Sequence, residues 1–254
     1  MLLEQILDKP RAWLLAHDDE CLTPQQYGDY LALVKRRCDG EPMAYLTGWR
    51  AFMDFDLQVT PDVLIPRPET ELLVEIGLTS IAAISRPRVL DLGTGSGAVA
   101  IAIARLCPHA IVTATDLSQS ALRVAQANAQ RLGVEIEFLI GDWYESLMIE
   151  REFDLILSNP PYIDCQDRHL LQGDLRFEPK QALTDGANGL QAIRRIVNGA
   201  PSRLKPGASL WIEHGFDQGA AVREFLLSGG LKDVRTNLDL AGLERVSGGL
   251  VPAV

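Results

Sequence analysis

Val89-Leu90-Asp91-Leu92-Gly93-Thr94-Gly95-Ser96-Gly97 decides the fold. An apolar run enters a turn built on three glycines, and a second apolar run at 98–106 follows at once. That order reads as a buried strand, a loop where backbone can approach a ligand without side chains in the way, and the opening of a helix. Outward from this point the cycle recurs. Strands are expected at 88–92, 111–115, 135–140 and 153–157, with helices at 98–106 and 120–132. A strand at 208–213, a helix at 219–227 and strands at 234–236 and 243–250 complete the series. Strand and helix in alternation imply an α/β fold with a doubly wound, seven-stranded Rossmann-like sheet.

Upstream the periodicity differs. Leu3, Ile6 and Leu7 lead to Trp13 and Leu14, and Thr23-Pro24 has the form of an N-cap with proline at N1 before Tyr27, Tyr30, Leu31 and Val34. Phe55, Leu57 and Val59 then alternate with Asp54, Asp56 and Gln58, as in a strand with one wet face, paired in a hairpin with 49–53. Three units follow: a helical domain at 1–46, a β-hairpin connector at 47–66, and the α/β domain at 67–254.

Composition sets outer bounds. A chain of 254 residues with 47% hydrophobic content can bury one large core with a small domain beside it. No apolar stretch approaches the roughly 20 residues of a membrane span, and Met1-Leu2-Leu3-Glu4 lacks the basic start of an export signal. The four cysteines (Cys21, Cys38, Cys107, Cys165) form no C-x-x-C pair, and the four histidines (His17, His109, His169, His214) show no ligand spacing. A cytoplasmic protein without a metal is expected. Acidic residues outnumber basic ones 34 to 24, and a net charge of -10 repels a phosphate backbone. Nucleic acid and membrane are therefore disfavoured as partners.

The glycine loop alone leaves its ligand open, since Ala98 in the sixth position is tolerated in nicotinamide sites. Charge discriminates better. Asp91 precedes the glycines, where a pyrophosphate would meet a carboxylate, whereas S-adenosylmethionine brings an ammonium and a sulfonium to be balanced. Asp116, with Leu117 after it, ends the second strand where a carboxylate can take both ribose hydroxyls, a feature shared with nicotinamide enzymes. Asp142 offers an acceptor for the adenine amino group and Trp143 an aromatic face. Each alone could be an ordinary loop or core residue; three at strand C-terminal ends favour a ligand crevice.

Asn159-Pro160-Pro161-Tyr162 follows the fourth strand beside that crevice. Two prolines fix two φ angles and remove two donors, which leaves a rigid turn with carbonyls free to accept. Amide nitrogen is a poor nucleophile because its lone pair is delocalised. The Asn159 side-chain oxygen and the Pro160 carbonyl can each accept one N–H of a target NH2, aiming the nitrogen and stabilising the charge that develops on it. Tyr162 is expected to stack on the flat target, with Pro161 completing the substrate-binding turn. No general base is required, because the methylated amide nitrogen is acidic enough to lose its proton unaided.

Asp91 to Gly97 together with Asn159 to Tyr162 resemble class I methyltransferases acting on exocyclic or amide nitrogens, a group that includes DNA adenine and protein glutamine methyltransferases. Ile65-Pro66-Arg67-Pro68-Glu69-Thr70-Glu71, Tyr45-Leu46-Thr47-Gly48, Tyr162-Ile163-Asp164, Phe177-Glu178-Pro179 and Glu213-His214-Gly215 are similar to the peptide-release-factor glutamine N5-methyltransferases, over nearly the whole chain. The resemblance implies methyl transfer from S-adenosyl-L-methionine, giving S-adenosyl-L-homocysteine, to the glutamine of the Gly-Gly-Gln loop of class 1 peptide chain release factors. It implies that the helical domain docks that partner. It implies that Gly93, Thr94, Gly95, Ser96, Gly97, Asp116, Trp143 and Asn159 contact the donor while Asn159, Pro160, Pro161 and Tyr162 hold the amide. A monomer is expected. The resemblance also puts Arg67 over the site, paired to a carboxylate, while Arg67-Pro68-Glu69 equally fits ordinary capping of a helix start; the roles of Arg67, Glu69, Glu178 and Glu213 stay open. The alternatives are a ribosomal-protein glutamine methyltransferase, an adenine-N6 nucleic-acid methyltransferase, a nicotinamide dehydrogenase and a non-catalytic binding module.

Overall fold

A strand with apolar residues on both sides is buried only where both faces of its sheet are covered. The computed structural model, which describes residues 1–148 and 152–253, shows this for β3 (Arg88–Leu92) and β6 (Phe153–Ser158). Val89, Leu155 and Leu157 face one core, and Leu90, Leu92 and Ile156 face the other. The remaining strands are β4 (Ile111–Asp116), β5 (Glu137–Ile140), β7 (Leu204–Glu213), β8 (Lys232–Leu238) and β9 (Glu244–Leu250). They form a seven-stranded sheet in the order β5-β4-β3-β6-β7-β9-β8. The pairs from β5 to β7 are parallel, and β9 runs antiparallel to both β7 and β8.

The chain winds outward from β3 to β5 and returns to β6 on the other side of β3. The strand order therefore reverses between β3 and β6, where open α/β sheets bind ligands. The glycine loop and Asn159 emerge at that point. Helices α5 (Thr70–Ile81) and α6 (Ala98–Leu106) bury Leu73, Val74, Ile101 and Ile103 in the first core, with α7 (Gln119–Leu132) beside them. On the opposite face, α9 (Gln191–Gly199) and α10 (Gly219–Ser228) bury Ile193, Ile196, Val222 and Leu226.

The helical start of the chain consists of α1 (Leu2–Leu7), α2 (Arg11–Ala16), α3 (Pro24–Cys38) and α4 (Met43–Thr47). Thr23 and Gln26 form a reciprocal capping box at the start of α3, with Pro24 in its first turn. None of α1 to α3 buries a residue, whereas α4 buries Ala44, Tyr45 and Leu46. Helix α4 thus crosses the expected boundary after residue 46, and it packs with Val59, Val63 and Ile65 of the connector. The hairpin β1 (Trp49–Phe52) and β2 (Phe55–Gln58) forms as read, turning through Met53 at φ 52°. Phe52, Phe55 and Leu57 enter the first core, and Asn128 of α7 closes both backbone groups of Gln58 at 2.8 and 2.9 Å.

Several boundaries differ from the reading. Strand β7 begins at Leu204, four residues before 208, because a register irregularity opposite Phe153 and Leu155 absorbs Pro206-Gly207. Strand β5 starts two residues later than 135. Helices α5 and α9, the short α8 (Lys180–Leu183) and the 3-10 turns Arg168–Leu171 and Gly173–Phe177 were not read as elements. Ala192, Ile193, Ile196 and Val197 do carry a helical period; the 3-10 turns bury nothing and so carry no apolar pattern.

Candidate active site

Gly93 and Gly95 both sit at positive φ, 72° and 56°, which opens the loop after β3 without steric cost. Gly93 and Thr94 donate their amides to the Thr115 carbonyl at 2.9 and 3.0 Å, so the loop is fastened to the end of β4. Gly97, at φ 87°, has no room for a side chain, since a Cβ would meet Ile101 at 2.8 Å and Ala125 at 3.2 Å. It makes the close approach of α6 to α7 possible.

Asp91 is buried at 2% exposure and accepts at Oδ2 from the Thr94 hydroxyl (2.6 Å) and the Ala100 amide (3.2 Å). Burial, helped by the Asp116 charge, pushes its pKa up to about 7 against the two hydrogen bonds. Asp116 takes the Gly95 amide on one oxygen and the Ser118 amide on the other, each at 2.8 Å. Burial raises its pKa too.

Trp143 stands at φ 53°, with its ring packed on Gly93 and its carbonyl accepting from the Thr115 hydroxyl at 3.2 Å. Asp142 gives its Oδ2 to Arg195 of α9 at 2.7 Å. One carboxylate oxygen is thereby committed to the protein.

Ser158 donates to the Leu92 carbonyl at 2.8 Å and so ties the end of β6 to the end of β3. The next residue, Asn159, donates from Nδ2 to Thr70 Oγ1 at 3.0 Å. Its Oδ1 is left to accept. Pro160 is buried, and its carbonyl accepts no hydrogen bond among the described residues. The Tyr162 carbonyl is pinned by Gln218 Nε2 at 2.9 Å, and the Tyr162 hydroxyl donates to Glu213 Oε1 at 3.1 Å. Glu213 ends β7 fully buried; burial pushes its pKa up to about 7, opposed by the Thr70 and Tyr162 hydroxyls and by Arg245. Burial lowers the pKa of His214, whose ring meets Ser247 Oγ at 2.7 Å and the Gly215 carbonyl at 2.8 Å.

One crevice gathers Asp91, the loop from Gly93 to Ser96, Asp116, Leu117, Asp142, Trp143, Asn159 and Pro161. Gly97, Pro160 and Tyr162 are not on its wall. Two segments roof it: Asp62 to Leu64 with Pro66, and Gln181 with Ala182; of these the sequence reading singles out only Pro66, in the segment 65–71. Glu178 joins them, accepting from Arg67 on Oε1 and from the Ile65 amide on Oε2 at 3.0 Å. The carboxylate that the reading gave Arg67 is thus Glu178, and Glu178 faces inward at 4% exposure. The wall carries four aspartates and no Lys, Arg or His among the described residues. That donor set fits a cationic ligand and opposes a pyrophosphate. No cluster of three or more His, Cys, Asp or Glu suited to a metal occurs among the described residues, and no described helix is long and apolar enough to cross a membrane.

Residues 69–186 match the Methyltransferase small domain family, and residues 1–48 match the PrmC N-terminal domain. A release factor glutamine methyltransferase of Bordetella pertussis is 57% identical, over 98% of this chain and 92% of that one. Its counterpart in Burkholderia pseudomallei is 51% identical, over 99% and 90%. The chain belongs to the release factor glutamine methyltransferases. Among solved structures, the T. thermophilus 16S rRNA N2 G1207 methyltransferase, in complex with AdoMet and guanosine, superposes with a TM-score of 0.60 at 20% identity. It covers 80% of this chain and 50% of that one, and shows the fold alone. As a release factor glutamine methyltransferase, the chain is an enzyme of the methyl-transfer class, and its sheet is the Rossmann-like one that the glycine loop announced.

Proposed function

We propose that this enzyme methylates the side-chain amide nitrogen (N5) of the glutamine in the Gly-Gly-Gln motif of class 1 peptide chain release factors, with S-adenosylmethionine as donor. The observation that carries the reading is Asn159: its Nδ2 is engaged by Thr70, so its Oδ1 is the group left to meet an amide N–H at the crevice. Bound there, S-adenosylmethionine supplies a methyl group made electrophilic by the sulfonium. The aspartates of the wall would balance its positive charge, Asp116 would take the ribose hydroxyls on lone pairs that Gly95 and Ser118 leave free, and Trp143 would offer its ring to the purine. Asn159 Oδ1 and the Pro160 carbonyl each accept one N–H of the glutamine amide, which orients the nitrogen and stabilises the positive charge that grows on it. Tyr162, tethered through its hydroxyl, offers the partly exposed part of its ring to the flat amide. Proton loss then goes to solvent, with no dedicated base. Tyr27 and Leu31, exposed one helical turn apart on α3, give the helical start an apolar face for the protein substrate.

Incubation of unmethylated class 1 release factor with this enzyme and S-adenosylmethionine, followed by peptide mass spectrometry, tests the reading. Methylation confined to the Gly-Gly-Gln glutamine is expected. An unmodified factor, with donor binding intact, would overturn the assignment in favour of a ribosomal protein or nucleic acid.

A further inference from the structure

An asparagine amide is nearly symmetric in shape, and rotating it by 180° exchanges acceptor for donor. The clamp works only with Oδ1 toward the substrate, so something must fix the rotation. Asn159 Nδ2 donates to Thr70 Oγ1 at 3.0 Å, and Thr70 is 3% exposed. A hydroxyl carries one hydrogen. Thr70 serves as acceptor here only if its own hydrogen points away from Asn159, toward another acceptor. Glu213 is near enough for the Thr70 and Tyr162 hydroxyls both to favour its charged form, and of the two only Tyr162 makes a hydrogen bond to it, to Oε1 at 3.1 Å. Glu213 is fully buried, and its Oε2 has no hydrogen-bond partner among the described residues. Burying a carboxylate with one oxygen unpaired is unfavourable, and packing alone would be served as well by a neutral side chain.

We infer that Glu213 is a positioning residue for methyl transfer: its carboxylate draws the Thr70 hydrogen, which sets the Asn159 amide with Oδ1 toward the substrate, and it holds Tyr162 by the hydroxyl. A protonated Glu213 could instead donate to Thr70, which would then turn its hydrogen toward Asn159 and favour the flipped amide. The charged and titratable groups around it are Tyr162 on the motif, Arg245 on β9, which favours the charged form, and Glu69 before α5, which opposes it. His214, the next residue, spends its ring nitrogens on Ser247 and Gly215. With the Glu213 pKa raised to about 7, kcat of the wild-type enzyme should climb with pH through neutrality.

This inference rests on the amide clamp, and the test separates the two. Steady-state methylation of release factor is measured across pH for wild type, Glu213→Gln, Thr70→Val, the double variant and Asn159→Ala. Glu213→Gln and Thr70→Val are each expected to lower kcat about 10- to 100-fold, the loss a misplaced reacting group brings, while the KM for release factor and the Kd for S-adenosylmethionine change less than about threefold. The double variant should lose no more than the worse single, and the climb near neutrality should vanish in Glu213→Gln. Glu213→Asp should restore part of kcat. Folded Glu213→Gln or Thr70→Val with wild-type kcat and pH profile overturns the role of Glu213; should Glu213→Gln not fold, Thr70→Val decides alone. An active Asn159→Ala would overturn the clamp itself.

Discussion

Asp91 serves its own loop and faces the crevice at once, and the two duties pull its protonation in opposite directions. Burial raises its pKa to about 7, while a cation beside it favours the charged form. Donor binding should therefore release a proton, and affinity for S-adenosylmethionine should rise with pH through about 7. Asp91→Asn is expected to weaken binding about tenfold and to flatten that dependence, as calorimetry at pH 6 and 8 would report. Without ligand the sign for stability is the reverse. A carboxylate whose pKa is raised on folding contributes stability below its unfolded value, 3.8, and that contribution is lost as pH climbs through about 7. Unliganded Asp91→Asn should accordingly melt no lower than wild type at pH 8. A donor affinity that did not change with pH in the wild type would rule this out.

At the scale of elements, the motif turn is held by neighbours distant in the chain. Gly189, at φ 74° before α9, lies directly against the Tyr162 carbonyl, and a Cβ there would collide with that backbone oxygen. Backbone cannot swing aside as a side-chain tip can. Gly189→Ala should therefore displace the turn from Asn159 to Tyr162, costing about 1–3 kcal/mol of stability. Turnover should fall by tenfold or more, with donor affinity held within about threefold, because the glycine loop is untouched. Thermal melting with single-turnover kinetics would show whether the two losses occur together; unchanged turnover would mean that the turn is set elsewhere. The glycine loop and the motif were both legible in sequence because each is a short contiguous pattern whose residue types state their backbone demands. Asp142 was less legible, since Arg195, which claims one of its oxygens, lies on a helix 53 residues away.

Over the whole molecule, the segment after the motif works as a strap. Arg37 of α3 pairs with Asp174 at 3.1 Å, Arg176 donates to the Asp39 carbonyl, and Glu178 binds Arg67 and the Ile65 amide. The helical start, the connector and the crevice roof are thereby joined. Glu178→Ala leaves the buried Ile65 amide unpaired, at a cost of about 1–3 kcal/mol. The prediction is a looser roof: S-adenosylmethionine should dissociate about tenfold faster, measured by stopped-flow displacement, with its association rate little changed. Dissociation at the wild-type rate would show that the two roof segments hold without Glu178.

Taken alone, the sequence determined the α/β sheet and the placing of the glycine loop and the Asn159 to Tyr162 turn at the strand ends. Periods of 2 and 3.6, broken by glycine and proline, are short-range physics and need no knowledge of distant contacts. Tertiary structure alone decided which carboxylate Arg67 takes, 111 residues away, that Glu213 lies behind Tyr162, and that residues 62–66 and 181–182 close over the floor. Those partners lie far apart in the chain and are selected by packing and by the need to pair buried polar groups, and no local pattern encodes that choice.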